Sequence, residues 1–211
     1  MEKKGFTIIE VVVVFCMILA VAFFVFPISL DNTKHARLIS SWSSTYSNLE
    51  YIFSVLKAQN NLTVYKKIDN ANSNEERQEM VLKVIKPYFR TTTLVPEDEY
   101  KIRYMNGLIA KDVGYHFKKH YYTSSGKIIA LDWLVKKCSD KKTLCGIMSV
   151  DINGIKRPNT WGEDIFGIGI YSDRIQPLGK DKSIRDLKLD CSKDGQGILC
   201  SYYYLIGGKF D

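Results

Sequence analysis

The chain has 211 residues, of which 45% are hydrophobic and 25% are charged, and its formal net charge is +7. This composition indicates a globular protein with one core of moderate size, and the absence of internal repeats and low-complexity tracts excludes repeat architectures and disordered chains. The basic residues are scattered as lysine pairs. General solubility therefore explains the charge as well as a nucleic-acid groove would, and DNA binding remains a minor alternative.

The first predicted element is an apolar helix. Residues 11–30 contain no Asp, Glu, Lys or Arg, and a helix of that length spans about 30 Å, which is the thickness of the hydrocarbon core of a bilayer. Glu10 stands at the head of this run. Since an ionised carboxylate inside a membrane is costly, its presence indicates a partner and a function. We expect residues 6–30 to meet a membrane at some stage.

The helix is predicted to continue beyond the apolar run. Pro27 would bend it without ending it. Further along, large apolar residues recur at helical steps of three or four, at Leu38, Trp42, Tyr46, Leu49, Phe53 and Leu56. The pattern predicts one long helix from about residue 6 to 58, in which residues 31–58 form an amphipathic continuation that packs on a folded domain.

Residues 59–211 are predicted to form a globular domain. Ser73 followed by Glu76 is typical of a capping box and predicts a second helix, with Pro87 in its last turn. From about residue 100 the apolar pattern shortens into strand-like runs, which cover residues 101–105, 107–117, 127–135, 146–152, 164–172 and 199–208. Because helices precede strands, the predicted fold class is α+β, with an antiparallel sheet packed against the long helix.

The cysteines divide into one single residue and two close pairs. Cys16 lies inside the apolar run, whereas Cys138 is near Cys145 and Cys191 is near Cys200. Neither pair has the C-x₂-C spacing of a zinc ribbon, and a chain with an export segment can reach an oxidising compartment. We therefore predict two local disulfides, with four reduced thiols as the alternative.

The residues Lys3-Lys4-Gly5-Phe6-Thr7-Ile8-Ile9-Glu10, followed by the apolar run, resemble the cleavage and methylation signal of type IV pilins and type II secretion pseudopilins. Ile8 replaces the leucine that is commoner in that family. The resemblance implies that residues 1–5 are a leader, removed after Gly5 by prepilin peptidase, and that Phe6 becomes the N-methylated first residue. It also implies that Glu10 meets the amine of Phe6 on a neighbouring subunit and that Pro27 is the helix-bending proline of the family.

The function implied by this resemblance is that of a structural subunit of a type IV pilus or a type II secretion pseudopilus, and not of an enzyme. Residues 6–30 would be a transmembrane helix before assembly and the filament core afterwards, and residues 59–211 would be a pilin-like head. The implied partners are prepilin peptidase, other pilin or pseudopilin subunits, the assembly machinery of the inner membrane, and membrane lipid. The expected location is the bacterial inner membrane, single-pass, with a cytoplasmic N-terminus and a periplasmic head, and then the filament.

Three other interpretations of the N-terminus remain open. A conventional secretory peptide could be cut after Ala20-Val21-Ala22, although the product would begin with an exposed apolar segment at Phe23. A plain single-pass anchor is the second. The third is a membrane-anchored or secreted binding module, such as a competence-type DNA receptor.

Residues 151–166, DINGIKRPNTWGEDIF, resemble a segment found in C-terminal domains of prepilin-like proteins. Asp151, Asn153 and Asp164 offer hard oxygen ligands on a glycine-containing turn and could suit Ca²⁺, the only candidate cofactor. The pattern is not that of an EF-hand, and Asp and Asn side chains equally satisfy the backbone of turns. The sequence is compatible with both a calcium site and a structural turn, and it favours the structural turn.

The C-terminal stretch resembles a disulfide-closed loop followed by a last strand, on which Tyr202, Tyr203 and Tyr204 would form a contact surface or pack in the core. Catalysis has little support from the sequence. His116 and His120 would share one face of a strand, but there is no HExxH, G-x-S-x-G or P-loop pattern.

Overall fold

The computed structural model describes residues 7–59, 71, 73–96, 99–110 and 119–209, with the side chains of residues 24–32, 74, 91 and 92 excepted. The predicted leader, with Gly5, and the predicted first residue of the mature chain, Phe6, lie outside the described residues. The chain divides into two compact units, Met1–Arg37 and Leu38–Asp211, which are described separately.

The first helix, α1, is assigned over Ile8–Gln59 and crosses the boundary between the two units. Pro27 lies within it, but the Pro27 side chain is outside the described part, so its predicted bending role stays a prediction. Among the described residues, no helix combines the length and the apolar character that crossing a membrane needs. The transmembrane prediction for residues 6–30 is therefore not confirmed.

In the described part of the chain, the first helix is followed by a second helix, then six short strands, then two short helices. They are α2 (Asn74–Phe89), β1 (Thr91–Leu94), β2 (His120–Thr123), β3 (Ile128–Trp133), β4 (Gly146–Asp151), β5 (Ile165–Ile170), β6 (Ile175–Pro177), α3 (Ile184–Asp190) and α4 (Cys200–Tyr203), the last followed by a 3₁₀ turn, Tyr204–Ile206. The strands form one antiparallel sheet in the order β1-β2-β3-β4-β5-β6. The α+β class and the antiparallel sheet are thus as predicted.

Helix α2 begins where the sequence predicts. The hydroxyl oxygen of Ser73 accepts the N–H of Glu76 at 3.1 Å, which satisfies one of the N–H groups that a helix start leaves without a partner. Val81 and Ile85, one turn apart, are buried on the same face. Arg90 ends the helix in a left-handed conformation, with φ 45°.

Strand predictions are correct in the centre of the sheet and fail around it. The runs that contain β3, β4 and β5 are strands, whereas residues 101–105 contain only isolated bridges at Arg103. Much of the predicted run 107–117 falls on residues 111–118, which lie outside the described residues. Strands β1 and β6 are four and three residues long, too short for a periodic signal, and α3 was also not predicted.

The prediction of a last strand over residues 199–208 is wrong, because this segment is helical. The N–H groups of Tyr202 and Tyr203 both donate to the Leu199 carbonyl, at 3.1 and 3.2 Å, which are helical bonds. Gly207, at φ 88°, ends the turn. Three consecutive tyrosines favour a strand locally, but this preference is weak and tertiary contacts override it. The Tyr202 N–H also reaches the Leu178 carbonyl at 3.1 Å, outside its own helix.

The core of Leu38–Asp211 forms between the second part of α1, α2 and the sheet. Trp42, with no exposed surface, stacks on Phe166 of β5 with ring centroids 4.8 Å apart. Its indole N–H donates to the Ser201 carbonyl at 2.8 Å. Leu49, Ile52 and Leu56 follow on the same buried stripe, as the helical spacing predicts for Leu49 and Leu56.

We expect Trp42→Ala to lower the free energy of unfolding by about 3–5 kcal/mol, because it removes a fully buried aromatic side chain. Trp42→Phe keeps a ring over Phe166 but leaves the Ser201 carbonyl without its donor, so about 1–3 kcal/mol should be lost. Tyr51→Ala, at a residue that is 68% exposed on the same helix, is the control and should change stability by less than about 0.5 kcal/mol. Urea unfolding measures all three. Equal effects of Trp42→Ala and Tyr51→Ala would contradict the assignment of Trp42 to the core.

Candidate functional site

The amino-terminal end of α1 carries a hydrogen-bonded cap. The backbone N–H and the hydroxyl of Thr7 each donate to Oε2 of Glu10 at 2.8 Å, and the Glu10 N–H lies 3.4 Å from the Thr7 hydroxyl oxygen, to which it donates. This is a capping box, which satisfies N–H groups at the start of a helix. Glu10 therefore has a local structural role, which the sequence analysis missed although Thr7-x-x-Glu10 has the same spacing as Ser73-x-x-Glu76.

From Val11 to Phe23 the side chains of α1 are apolar and, apart from half-buried Ala22, exposed on all sides of the helix. Between Ile8, 85% exposed, and Phe23, 80% exposed, no large hydrophobic side chain of this segment is less than 47% exposed. Soluble monomers rarely leave contiguous apolar surface of this kind uncovered. We therefore expect a partner, either lipid or protein, to cover it. Cys16 is an exposed free cysteine within this surface.

The two predicted disulfides are present. Cys138–Cys145 lies between β3 and β4 with a Cα–Cα distance of 5.4 Å, and Cys191–Cys200 joins the end of α3 to the start of α4 at 5.3 Å. Asp190 supports the second loop, since its carboxylate accepts the N–H of Leu199 at 2.7 Å. Asp190, Cys191 and Cys200 come close enough to suggest a metal cluster, but sulfurs bonded to each other are not thiolate ligands.

The structure brings Asp151, Asn153 and Asp164 together, as the calcium interpretation requires. Asp151 ends β4 and Asp164 precedes β5, and both are buried, with 1% and 0% exposed surface. The Asp164 carboxyl accepts the N–H groups of Asn159 at 2.8 Å and Thr160 at 2.6 Å. It also accepts a hydrogen bond from the Asn153 side chain.

Asp151 is held in the same way. One carboxyl oxygen accepts the Asn153 N–H at 3.1 Å, and the other lies 2.7 Å from the Tyr100 hydroxyl. All four carboxyl oxygens of the pair are thus hydrogen-bonded within the protein. Of the side-chain oxygens of Asp151, Asn153 and Asp164, only the Asn153 amide oxygen has no hydrogen-bond partner among the described residues. One free oxygen does not make a Ca²⁺ site, which needs six to eight. This arrangement does not fit calcium and favours the structural interpretation of the segment.

Burial changes the protonation of this pair. Removal from water and, to a smaller extent, the nearby Asp164 carboxyl together raise the pKa of Asp151 to about 8, against the lowering effect of its hydrogen bonds. The pKa of Asp164 is raised to about 6, also by burial, while its backbone donors oppose the shift. Two carboxyl groups that share a buried site do not both ionise readily, so Asp151 retains its proton at neutral pH.

The remaining predicted residues that the structure describes pack against other side chains and are not brought together as one site. Tyr203 and Tyr204 are buried, with 8% and 5% exposed surface, and Tyr202 is half-buried, so the expectation that at least one packs in the core is correct although the segment is not a strand. His116 lies outside the described residues. His120 stacks edge-on against Tyr100, with ring centroids 4.9 Å apart, and burial lowers its pKa to about 4.

Comparison of the chain with protein-family models, with curated proteins and with solved structures gave no match. A functional proposal therefore depends on the chemistry of the residues described above. In Met1–Arg37 the feature that indicates a binding partner is an exposed apolar helix with one carboxylate, Glu10, near its start.

The buried pair predicts a dependence of stability on pH. The pKa values of about 8 and about 6 in the folded state lie above the ordinary value of about 4. The two carboxyl groups therefore contribute to the stability of the folded state. This contribution to stability is complete below about pH 4 and is lost as the pH rises through both folded-state pKa values. His120, with its folded-state pKa of about 4, acts oppositely, and its contribution is lost as the pH falls below its ordinary value of about 6.5.

Of the two effects, that of the carboxyl pair and that of His120, the carboxyl effect is the one that still changes with pH above about pH 6.5. The melting temperature should therefore fall between about pH 6.5 and 8.5. Asp151→Asn imitates the neutral acid, because its amide oxygen can accept the Asn153 N–H while its NH₂ donates to the Tyr100 oxygen. Its melting temperature should change much less over this range. Asp140→Asn, at an exposed loop position, is the control and should follow the wild type. A wild-type melting temperature that stays level or rises would contradict the buried neutral acid.

Proposed function

We propose that the protein is a prepilin-like structural subunit of a type IV pilus or a type II secretion pseudopilus. In this proposal prepilin peptidase cleaves after Gly5, Phe6 is N-methylated, and subunits assemble through the N-terminal helix. The observation that carries the proposal is the exposed apolar surface of α1 between Ile8 and Phe23, headed by Glu10 as its only carboxylate. A helix that serves first in lipid and then in a filament core needs an apolar surface on all sides.

The cap geometry leaves Glu10 able to take part in assembly. Both Thr7 donors contact Oε2, and within the described residues no hydrogen bond reaches the other carboxylate oxygen. Oε1 is thus available for the amine of Phe6 on a neighbouring subunit. Away from water such an ion pair gains strength, and it would offset the cost of placing a carboxylate in apolar surroundings.

The disulfides support an extracytoplasmic head. Disulfides persist in oxidising compartments such as the periplasm and are rare in reducing cytosol. We infer that residues 31–211 face the periplasm, that the N-terminus starts in the cytoplasm, and that the inner membrane holds residues 6–30 before assembly. Other subunits and the inner-membrane assembly machinery are then the partners.

Mass spectrometry of the N-terminus tests the processing step. Co-expression of the full chain with a prepilin peptidase should yield a mature chain that begins at Phe6 and carries one added methyl group. Gly5→Leu should leave the leader attached, because a larger side chain at the cleavage point obstructs the peptidase. An intact Met1 in the wild type would contradict the proposal, as would a start at Phe23, which would indicate a secretory peptide instead.

The charge on Glu10 can be tested apart from its role as a helix cap. Glu10→Gln keeps an acceptor for Thr7, since both Glu and Gln complete a capping box, but it removes the negative charge. We expect this variant to be processed normally and to be absent from sheared filament fractions, which immunoblotting would show. Glu79→Gln, at an exposed residue of α2, should assemble as the wild type does. Normal assembly of Glu10→Gln would refute the docking charge.

A further inference from the structure

The unit Leu38–Asp211 contains a half-open cavity of about 310 Å³ that the proposed function does not use. Three elements form it: the last turns of the α1 helix, one face of α2, and the turn between β5 and β6. Its volume is at the lower end of the range for small-molecule sites, about 300–1,000 Å³. The chemistry of its walls and rim determines which molecules it could bind.

The walls of the cavity are apolar. Leu56, Val81, Ile85 and Ile175 are each at most 8% exposed, and Phe53 and Val84 complete the walls as half-buried side chains. An apolar molecule that enters such a space exchanges water contact for contact with these side chains, which is favourable at roughly 25 cal/mol per Å². The aromatic ring of Phe53 offers a flat surface to such a molecule.

The rim of the cavity carries four charged side chains, of which three are already engaged. The Asp173 carboxylate accepts a hydrogen bond from Arg174 at 3.0 Å. The Arg174 guanidinium also donates to the Lys141 carbonyl at 2.8 Å, and it lies 4.3 Å from the centroid of the Tyr171 ring. The Glu50 carboxylate is exposed and accepts a hydrogen bond from the Tyr46 hydroxyl.

Lys57 is different from the other three. Its ammonium group donates to the backbone carbonyl of Asp173 at 3.1 Å, and within the described part of the chain no carboxylate lies within ion-pair distance of it. Glu50 is seven residues earlier on the helix, which places it about 10 Å away along the axis. Since an ammonium group has three donors, a half-buried Lys57 retains the capacity to hold an anion.

We propose that this cavity is a binding site for a compact anionic amphiphile, an apolar molecule with one carboxylate or similar group. The apolar body lies against Phe53, Val84 and Ile175, and the anionic head meets the Lys57 ammonium at the rim. A charge-assisted bond to Lys57 fixes the orientation of the ligand, whereas the apolar walls supply most of the contact area.

The test uses the full chain in a nonionic detergent and 6-fluoro-2-naphthoate as the probe, with binding followed by ¹⁹F NMR and empty micelles as the blank. We expect saturable binding with a dissociation constant below about 1 mM. Lys57→Met should weaken binding about tenfold, because it removes the charge and keeps the apolar stem. Lys83→Met, at an exposed lysine of α2 that does not line the cavity, should bind as the wild type does.

Two further measurements locate the site and the sign of its charge. Val84→Trp fills the cavity and should abolish saturable binding. The neutral 6-fluoro-2-naphthamide should bind wild type and Lys57→Met equally, and the cationic 6-fluoro-2-naphthylmethylamine should bind more weakly than the naphthoate. The proposal is overturned if the wild type shows no saturable shift, if Lys57→Met binds the naphthoate as the wild type does, if Val84→Trp still binds, or if the amine binds more tightly.

Discussion

The arrangement of Leu38–Asp211 depends on one buried contact, between Trp42 and Ser201. The Ser201 carbonyl accepts the indole N–H of Trp42, and the Ser201 hydroxyl oxygen accepts the N–H of Gly167, each at 2.8 Å. A single residue of the C-terminal segment thus satisfies buried donors from both α1 and β5. Because a buried donor without a partner costs about 1–3 kcal/mol, the helix, the strand and the C-terminal segment are stabilised in one common arrangement. The cavity beside Lys57 lies further along the same helix.

The two units differ in whether contacts within the unit satisfy their polar groups and cover their apolar side chains. In Leu38–Asp211 the polar groups at the end of β4 are satisfied internally, and Asp151 keeps its proton because ionisation beside Asp164 would be costly. In Met1–Arg37 the described apolar side chains have no internal cover, while Glu10 and Thr7 satisfy only the first turn. In the proposed function a partner covers this apolar surface, which is the physical basis of the proposed filament.

The sequence predicts most reliably those features that depend on near neighbours. The Ser73 cap, the central strands, the stripe through Trp42 and Leu49, and both cysteine pairs follow from spacings of a few residues. The sequence fails where distant contacts decide. Residues 199–208 are helical despite three tyrosines, and the edge strands β1 and β6 are too short to show a period. The Thr7-x-x-Glu10 spacing is likewise local and is typical of the cap that the structure shows at Glu10.

The sequence by itself determined the local chemistry: where helices start, which cysteines can pair, and that an apolar run carries one carboxylate at its head. Only the tertiary structure decided what the side chains of Leu38–Asp211 do. It hydrogen-bonds all four carboxyl oxygens of Asp151 and Asp164 within the protein, and burial beside Asp164 keeps Asp151 protonated at neutral pH, an arrangement that favours a structural role over a calcium site. It also leaves Lys57 at the rim of an apolar cavity without a carboxylate among the described residues. The reason is that protonation and pairing depend on burial and on groups up to 116 residues away, which no local spacing encodes.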